Sequence, residues 1–210
     1  MKNGAISLTN WLLIKFLFDL GNVFFDFDPR HFYKDVFSNT NEMEHFLSEI
    51  CNDKWNIQQD AGRSIEEAEK ELIPLFPEYQ DKIKLYYKNH SKMIKGVFET
   101  SIELLEELKK QSYLCYVLSN WSAETFLDTK EHFSFLNFFD GLIISGEEKL
   151  IKPDPKIFHL ACEKFNLIPE NTIFIDDRIE NIDSAFKLNF QTIHLTNPNE
   201  IKSLVKKKLN

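Results

Sequence analysis

At 210 residues, 43% of them hydrophobic and 28% charged, the chain can bury a full core as one domain, or one domain with an insertion, which excludes a disordered or fibrous protein. A formal net charge of −8 argues against a nucleic-acid partner, because phosphate-backbone binding needs a basic face. Cys51, Cys115 and Cys162 are odd in number and share no metal-type spacing, so they read as reduced thiols of a cytoplasmic protein.

The N-terminal run LTNWLLIKFLF resembles a signal-peptide core, but Lys15 interrupts it and no small-residue cleavage site follows. No stretch reaches the roughly 18 to 20 apolar residues of a membrane span, so a soluble chain with no membrane partner is expected. Residues 1–12 read as an extension ahead of the first strand. Phe16, Leu17 and Phe18 then form a short apolar run that ends in Asp19, and Leu20, Gly21 and Asn22 break it before Val23, Phe24 and Phe25. Such a run suits a central strand of a parallel sheet, with Asp19 delivered at its carboxyl end.

The pattern changes after Pro29. From His31 to about Lys95 apolar residues recur at helical spacing, as in Phe32, Val36 and Phe37 and then Phe46, Leu47 and Ile50. This predicts an all-helical insertion over 31–95. Within it, Gln59 to Arg63 form a loop, and Ser64 with Glu67 three residues on makes a capping box that starts the next helix.

Helices and strands alternate from Val97. Ile102, Leu104, Leu105 and Leu108 mark a helix, Tyr113 to Leu118 a buried strand, and Ala123 to His132 a helix. Gly141 to Ser145 is a strand, and a helix over Pro155 to Phe165 carries its proline in the first turn. Thr172 to Ile175 is a strand ending at Asp176 and Asp177, Ile179 to Leu188 a helix, Gln191 to Leu195 the last strand, and a terminal helix follows Pro198. This order predicts an α/β fold, a Rossmann-like doubly wound parallel sheet formed by 13–30 and 96–210.

Four positions at or beyond strand ends carry a complementary set: Asp19, Ser119 with Asn120, Lys152, and Asp176 with Asp177. In a parallel sheet these tips share one edge. Carboxylates that hold a divalent hard cation, together with a lysine and hydroxyl or N–H donors, fit the transfer of a phosphoryl group. No histidine has metal-ligand spacing, and no glycine-rich nucleotide fingerprint is present, which removes zinc enzymes, kinases and dehydrogenases.

Read together, FDLGNV, VLSNWS, LIKPDP and FIDDRIEN resemble the ordered motifs of the haloacid dehalogenase superfamily, with a helical cap inserted after the first. The resemblance implies that Asp19 is the nucleophile, that Ser119 and Asn120 hold phosphate, and that Lys152 holds both. It implies a Mg²⁺ site of Asp19, the Gly21 carbonyl, Asp176 and Asp177 with Asn181 in support, and a cis peptide between Lys152 and Pro153. Gly21, Asn22, Asp60, Arg63 and Trp121 are expected to face the substrate, with Asp60 and Arg63 in the cap loop.

Gly21 departs from the family's commoner phosphatase pattern, which has a second Asp there as acid and base. Asp26, Asp28 and Asp60 are candidates to replace it, although Asp28 before Pro29 reads as a turn residue. The first-motif form DLGNV also resembles the branch of bacterial sugar-phosphate phosphatases that act on glucose 1-phosphate. The leading expectation is a Mg²⁺-dependent phosphatase of a small phosphate ester, such as a hexose 1-phosphate, working as a monomer or homodimer. The alternatives are a metal-free 2-haloacid dehalogenase using the same Asp19, and a non-catalytic phosphate-binding module.

Overall fold

A computed structural model describes residues 14–210, so the extension read at 1–12 lies outside the described residues. In chain order the elements are β1 (Lys15–Phe18), β2 (Phe25–Phe27), α1 (Arg30–Tyr33), α2 (Thr40–His45), α3 (Asp53–Asp60), α4 (Ile65–Leu72) and α5 (Gln80–Lys88). There follow β3 (Ile94–Val97), α6 (Glu99–Lys110), β4 (Leu114–Ser119), α7 (Ala123–Lys130), β5 (Gly141–Ile144) and the one-turn α8 (Ser145–Glu148). The chain ends with α9 (Pro155–Phe165), β6 (Thr172–Asp176), α10 (Ile179–Lys187), β7 (Gln191–His194) and α11 (Ile201–Leu209).

Five parallel strands form the main sheet in the order β5-β4-β1-β6-β7. The central place of β1 explains its continuous apolar run: Phe16, Leu17 and Phe18 are all 0% exposed because both faces of the sheet are covered. Successive side chains point to opposite faces. Phe16, Phe18, Val117 and Ile175 meet Leu104, Leu105 and Leu108 of α6 and Ile201 and Val205 of α11. Leu17, Leu118 and Phe174 meet Ile157, Phe158 and Ala161 of α9 and Ile182 and Ala185 of α10. Each fully buried side chain of this size contributes about 1.5–3 kcal/mol. Because the strands are parallel, β1, β4 and β6 deliver Asp19, Ser119 and Asp176 to one edge.

Helices α1 to α5 have a separate core, built on Tyr33, Phe46, Ile50, Trp55, Ile83 and Tyr86. The capping box at α4 is present: Ser64 Oγ accepts from the Glu67 N–H and the Glu67 carboxylate accepts from the Ser64 N–H, both at 3.2 Å. The prediction for 31–95 needs two corrections: Gln59 and Asp60, read as loop, are the last residues of α3, whose start is capped by Asn52, and the stretch is not helical to Lys95. Ile94–Val97 is β3, which pairs antiparallel with β2. Strands of three and four residues, half-buried and paired across the whole helical block, leave no alternation in the sequence to read. No helix among the described residues is long and apolar enough to cross a membrane.

Candidate active site

Asp19 stands immediately after β1, and its N–H donates to the Ile175 carbonyl on β6 at 2.9 Å. The chain then turns sharply. The Leu20 carbonyl accepts from the N–H groups of Val23, Phe24 and Phe25, and Asn22 takes a left-handed conformation (φ 53°), which asparagine tolerates. The turn leaves open space beside Gly21, where an added Cβ would meet only Asp19 Oδ2, at 3.8 Å.

Behind β4, two contacts fix the loop Ser119-Asn120-Trp121. The Trp121 N–H donates to Ser145 Oγ at 2.9 Å, and the Gly146 N–H donates to the Trp121 carbonyl at 3.1 Å. Only glycine permits this approach of α8, since a Cβ at Gly146 would lie 2.4 Å from the Ala123 nitrogen. Asn120 Nδ2 donates to the Lys152 carbonyl and Asn120 Oδ1 accepts from the Lys152 N–H, each at 2.8 Å. The Lys152–Pro153 peptide is cis. Ser119 Oγ is buried without a hydrogen-bond partner among the described residues.

Lys152 is 1% exposed and bridges the adjacent tips of β1 and β6: its Nζ is 2.8 Å from Asp19 Oδ1 and 2.6 Å from Asp176 Oδ2. Asp176 also accepts from the Arg178 N–H at 2.8 Å and from Asn181 Nδ2 at 3.0 and 3.1 Å, so both its oxygens are engaged. Asp177 Oδ2 accepts from Asn22 Nδ2 at 3.2 Å. Asp19, Asp176 and Asp177 each offer an oxygen within 4.8 Å of the others.

Burial raises the pKa of Asp19; Lys152 works against this and the neighbouring Asp176 and Asp177 add to it. Burial and then Asp176 likewise raise Asp177, with Asn22 opposing. Burial disfavours the charge on Lys152, but Asp176 and Asp19 outweigh it and the ammonium is held. Three carboxylates against one ammonium leave an excess of negative charge among hard oxygen donors. That donor set fits a divalent cation such as Mg²⁺.

These groups open on a cavity of about 540 Å³, walled by Asp19, Asn120, Lys152 and Asp177 on the sheet side and by Asn56 and Asp60 of α3 opposite. Gly21, Asn22 and Asn181 also line it. Four expected residues do not line it: Ser119 and Asp176 are buried behind it, 1% and 0% exposed, and two others stand elsewhere. The Arg63 guanidinium is turned away onto Gln59 Oε1 at 2.7 Å and onto Glu71, and Arg63 does not line this cavity. Trp121 is 6% exposed, packs edge-on against Phe25 and Phe126, and reaches only a small recess of about 60 Å³ beside the main cavity. Arg178 and Asn56 line the cavity without having been singled out. Arg178 directly follows the acidic pair, and Asn56 lies one helical turn before Asp60, so spacing from recognised residues is the signal that finds them.

Comparison with known proteins places this arrangement. A sesquiterpene phosphatase of Aspergillus oryzae is 32% identical over 44% of this chain and 47% of its own length. An (S)-2-haloacid dehalogenase of Burkholderia cepacia is 26% identical over 55% of this chain and 48% of its own length. The chain thus spans about half the length of these two relatives. A phosphorylated-carbohydrates phosphatase of Thermotoga maritima is 22% identical over 85% of this chain and 82% of its own. A haloacid-dehalogenase-family enzyme of Bacteroides thetaiotaomicron, solved as a magnesium complex, superposes with a TM-score of 0.66 at 25% identity, covering 86% of this chain and 92% of that one. The family model of the haloacid dehalogenase-like hydrolases matches residues 23–195, and the chain belongs to that family.

Proposed function

We propose that the protein is a phosphatase of small phosphate monoesters. The observation that carries this reading is the cluster of Asp19, Asp176 and Asp177, in which the buried Lys152 ammonium pairs with Asp19 and Asp176. Asp19 attacks phosphorus in line and forms an aspartyl phosphate, which water then hydrolyses. Lys152 holds the nucleophile in place and neutralises phosphate oxygens, while Ser119 and the backbone around Asn120 donate to them. Mg²⁺ is the cofactor that the acidic cluster suits: Asp19, Asp177 and the Gly21 carbonyl would hold it, with Asp176 and Asn181 positioned behind. When bound, it supplies positive charge to the phosphoryl oxygens.

Residues 31–95 act as a cap over a core formed by 13–30 and 96–210, placing α3 across the cavity from Asp19. The volume and the polar lining from Asn56, Asp53 and Lys54 suit a hydroxyl-rich leaving group of hexose size, which supports a sugar phosphate as substrate. The relatives named as dehalogenases keep the other reading in view. Without a cation the excess of carboxylates repels a 2-haloacid anion, so the metal-free dehalogenase is disfavoured, whereas a divalent cation held by them would offset the charge of a phosphate ester.

Phosphate release is measured from an aryl phosphate and from hexose 1-phosphates, with Mg²⁺, with chelator, and with Asp19→Asn. Turnover that needs Mg²⁺ and is lost in Asp19→Asn supports the proposal. Halide release from a 2-haloacid in chelator, with no ester hydrolysed, replaces it by the dehalogenase; ester binding without turnover in either assay replaces it by a phosphate-binding module.

A further inference from the structure

Splitting an alkyl phosphate leaves an alkoxide that needs a proton, and hydrolysis of an aspartyl phosphate needs a base to take one from water. The residues around the cavity offer few groups able to do both. Asp19 is committed as nucleophile and Asp177 to the cation cluster. Asp28 Oδ1 accepts from the Arg30 N–H at 2.8 Å and from its guanidinium at 3.2 Å. The side chain of Asp53 stands at the cavity rim, 92% exposed and 4.0 Å from the Arg178 guanidinium. His90 is buried, which pushes its pKa down to about 4, so it holds no proton to give near neutrality.

Asp60 remains, and its placement is distinctive. It is the last residue of α3, so the carboxyl end of the helix dipole disfavours its anion. Its carboxylate accepts a long hydrogen bond, 3.3 Å, from Asn56 Nδ2, and the Ser122 backbone N–H also favours its anion, though less than burial and Asp19 oppose it. The turn after it is pinned to the sheet domain: Gly62 has φ 96°, and a Cβ there would lie 3.1 Å from the Gly146 carbonyl. Asp60 is half-buried and opens on both the main cavity and the small recess, whose walls it shares with Gly21, His90 and Asn120. The recess lies next to Gly21, where no side chain fills the space beside Asp19. Facing Asp60 are Asp19 from β1, Arg178 after β6, Asp53 from its own helix and His90, with the Ser122 backbone amide nearby. Burial and the charge of Asp19 raise its pKa to about 7, which suits a group that must both give and take a proton.

Resting on the phosphatase reading, we propose that Asp60 is the acid and base of this site, supplied from the helical block rather than from the loop after β1. In the first step a carboxylate oxygen of Asp19 bonds to phosphorus, the bond from phosphorus to the ester oxygen breaks, and that oxygen takes the proton of Asp60. In the second, Asp60 takes a proton from water as the water oxygen bonds to phosphorus, and the bond to Asp19 breaks. The sum is ester plus water giving alcohol plus phosphate, with both carboxyls restored.

The test compares wild type with Asp60→Asn on an alkyl phosphate and on an aryl phosphate with an acidic leaving group, in saturating Mg²⁺ and with millisecond mixing. With the alkyl ester, turnover falls about 10²- to 10⁴-fold, because protonation of the leaving group is lost. With the aryl ester the first step needs no proton, so a burst of one phenol per enzyme precedes slow turnover as phosphorylated Asp19 accumulates. The unfolding temperature of the near-isosteric variant stays at or above that of wild type near pH 7. Equal falls for both esters with no burst, or no fall for either, overturn the assignment of Asp60 and leave the phosphatase standing. A wild type that hydrolyses neither ester, or whose turnover survives Asp19→Asn, overturns the phosphatase and the assignment with it.

Discussion

Asn120 and Lys152 bind each other through two reciprocal hydrogen bonds, both 2.8 Å, with the Asn120 amide pairing the Lys152 backbone as a strand would. The tip of β4 thereby fixes the loop that carries the ammonium between Asp19 and Asp176. Asn120→Ala removes both bonds and leaves a partly buried N–H and carbonyl unpaired, a loss of about 1–3 kcal/mol. On the proposed reading a displaced Lys152 also misplaces Asp19 as nucleophile, so turnover falls about a hundredfold while KM changes less. Thermal unfolding and steady-state kinetics on an aryl phosphate check both; unaltered kcat would show that Lys152 holds its position without Asn120.

The four motifs and the five main-sheet strands were legible because chemistry and burial leave local marks. An apolar run that stops at a polar residue, as at Phe18-Asp19 and Ile175-Asp176, announces a buried strand and its polar tip in the same few letters. The helical block was legible in kind, from its 3.6-residue periodicity, but not at its edge, because β3 gains its partner only from Phe25–Phe27, far away in the chain. Arg63 shows a second limit. A cation beside a cavity-facing loop reads the same whether it points in or out, and here Gln59 and Glu71 draw it out. Asp60 could be named from the sequence, but its standing opposite Asp19 depends on how α3 is laid across the sheet edge.

Among the described residues Ser119 Oγ is buried and unpartnered, a cost that the fold bears for no structural return. Ser119→Ala relieves that cost, so the variant unfolds at the same temperature as wild type or higher, by up to about 1–3 kcal/mol. On the proposed reading the variant also loses a donor to phosphate, which lowers kcat/KM about 10²- to 10³-fold. A variant that loses stability would show that the hydroxyl has a structural partner instead.

The raised pKa of Asp60 makes stability depend on pH. Its carboxyl keeps a proton in the folded protein to about pH 7, against an ordinary value of 3.8. Between these limits the native state binds more protons than the unfolded chain, so stability falls as pH rises from about 4 to about 7. Asp60→Asn removes this contribution. In chelator its unfolding temperature therefore falls less steeply across that window than the wild type's, and parallel curves would place the Asp60 carboxyl in ordinary solvent.

Two glycines separate packing from mere presence. A Cβ at Gly146 lies 2.4 Å from the Ala123 nitrogen and 2.8 Å from the Trp121 carbonyl, both backbone atoms, whereas one at Gly96 in β3 meets nothing within 4 Å. Gly146→Ala pushes α8 away from the Asn120-Trp121 loop, costing about 1–3 kcal/mol and lowering turnover through the displaced loop. Gly96→Ala leaves turnover at the wild-type level. Equal behaviour of the two variants in unfolding and kinetics would show that α8 does not position the loop.

Lys152 tests the charge balance itself. Its ammonium is bonded to both Asp19 and Asp176, and Lys152→Met retains most of the volume while removing the charge. The two carboxylates then face each other unpaired, and breaking a buried pair in this way costs about 3–5 kcal/mol. Protonation of Asp19 absorbs part of that cost at low pH, so the deficit in chelator widens as pH rises. A divalent cation binds the folded state alone and restores stability by mass action, more in the variant than in wild type because more negative charge awaits it. Thermal unfolding of both proteins with chelator and with Mg²⁺ gives the comparison. An equal Mg²⁺ shift in the two would mean that the cation and Lys152 do not share the charge of Asp19, and the site would have to be redrawn around Asp177 alone.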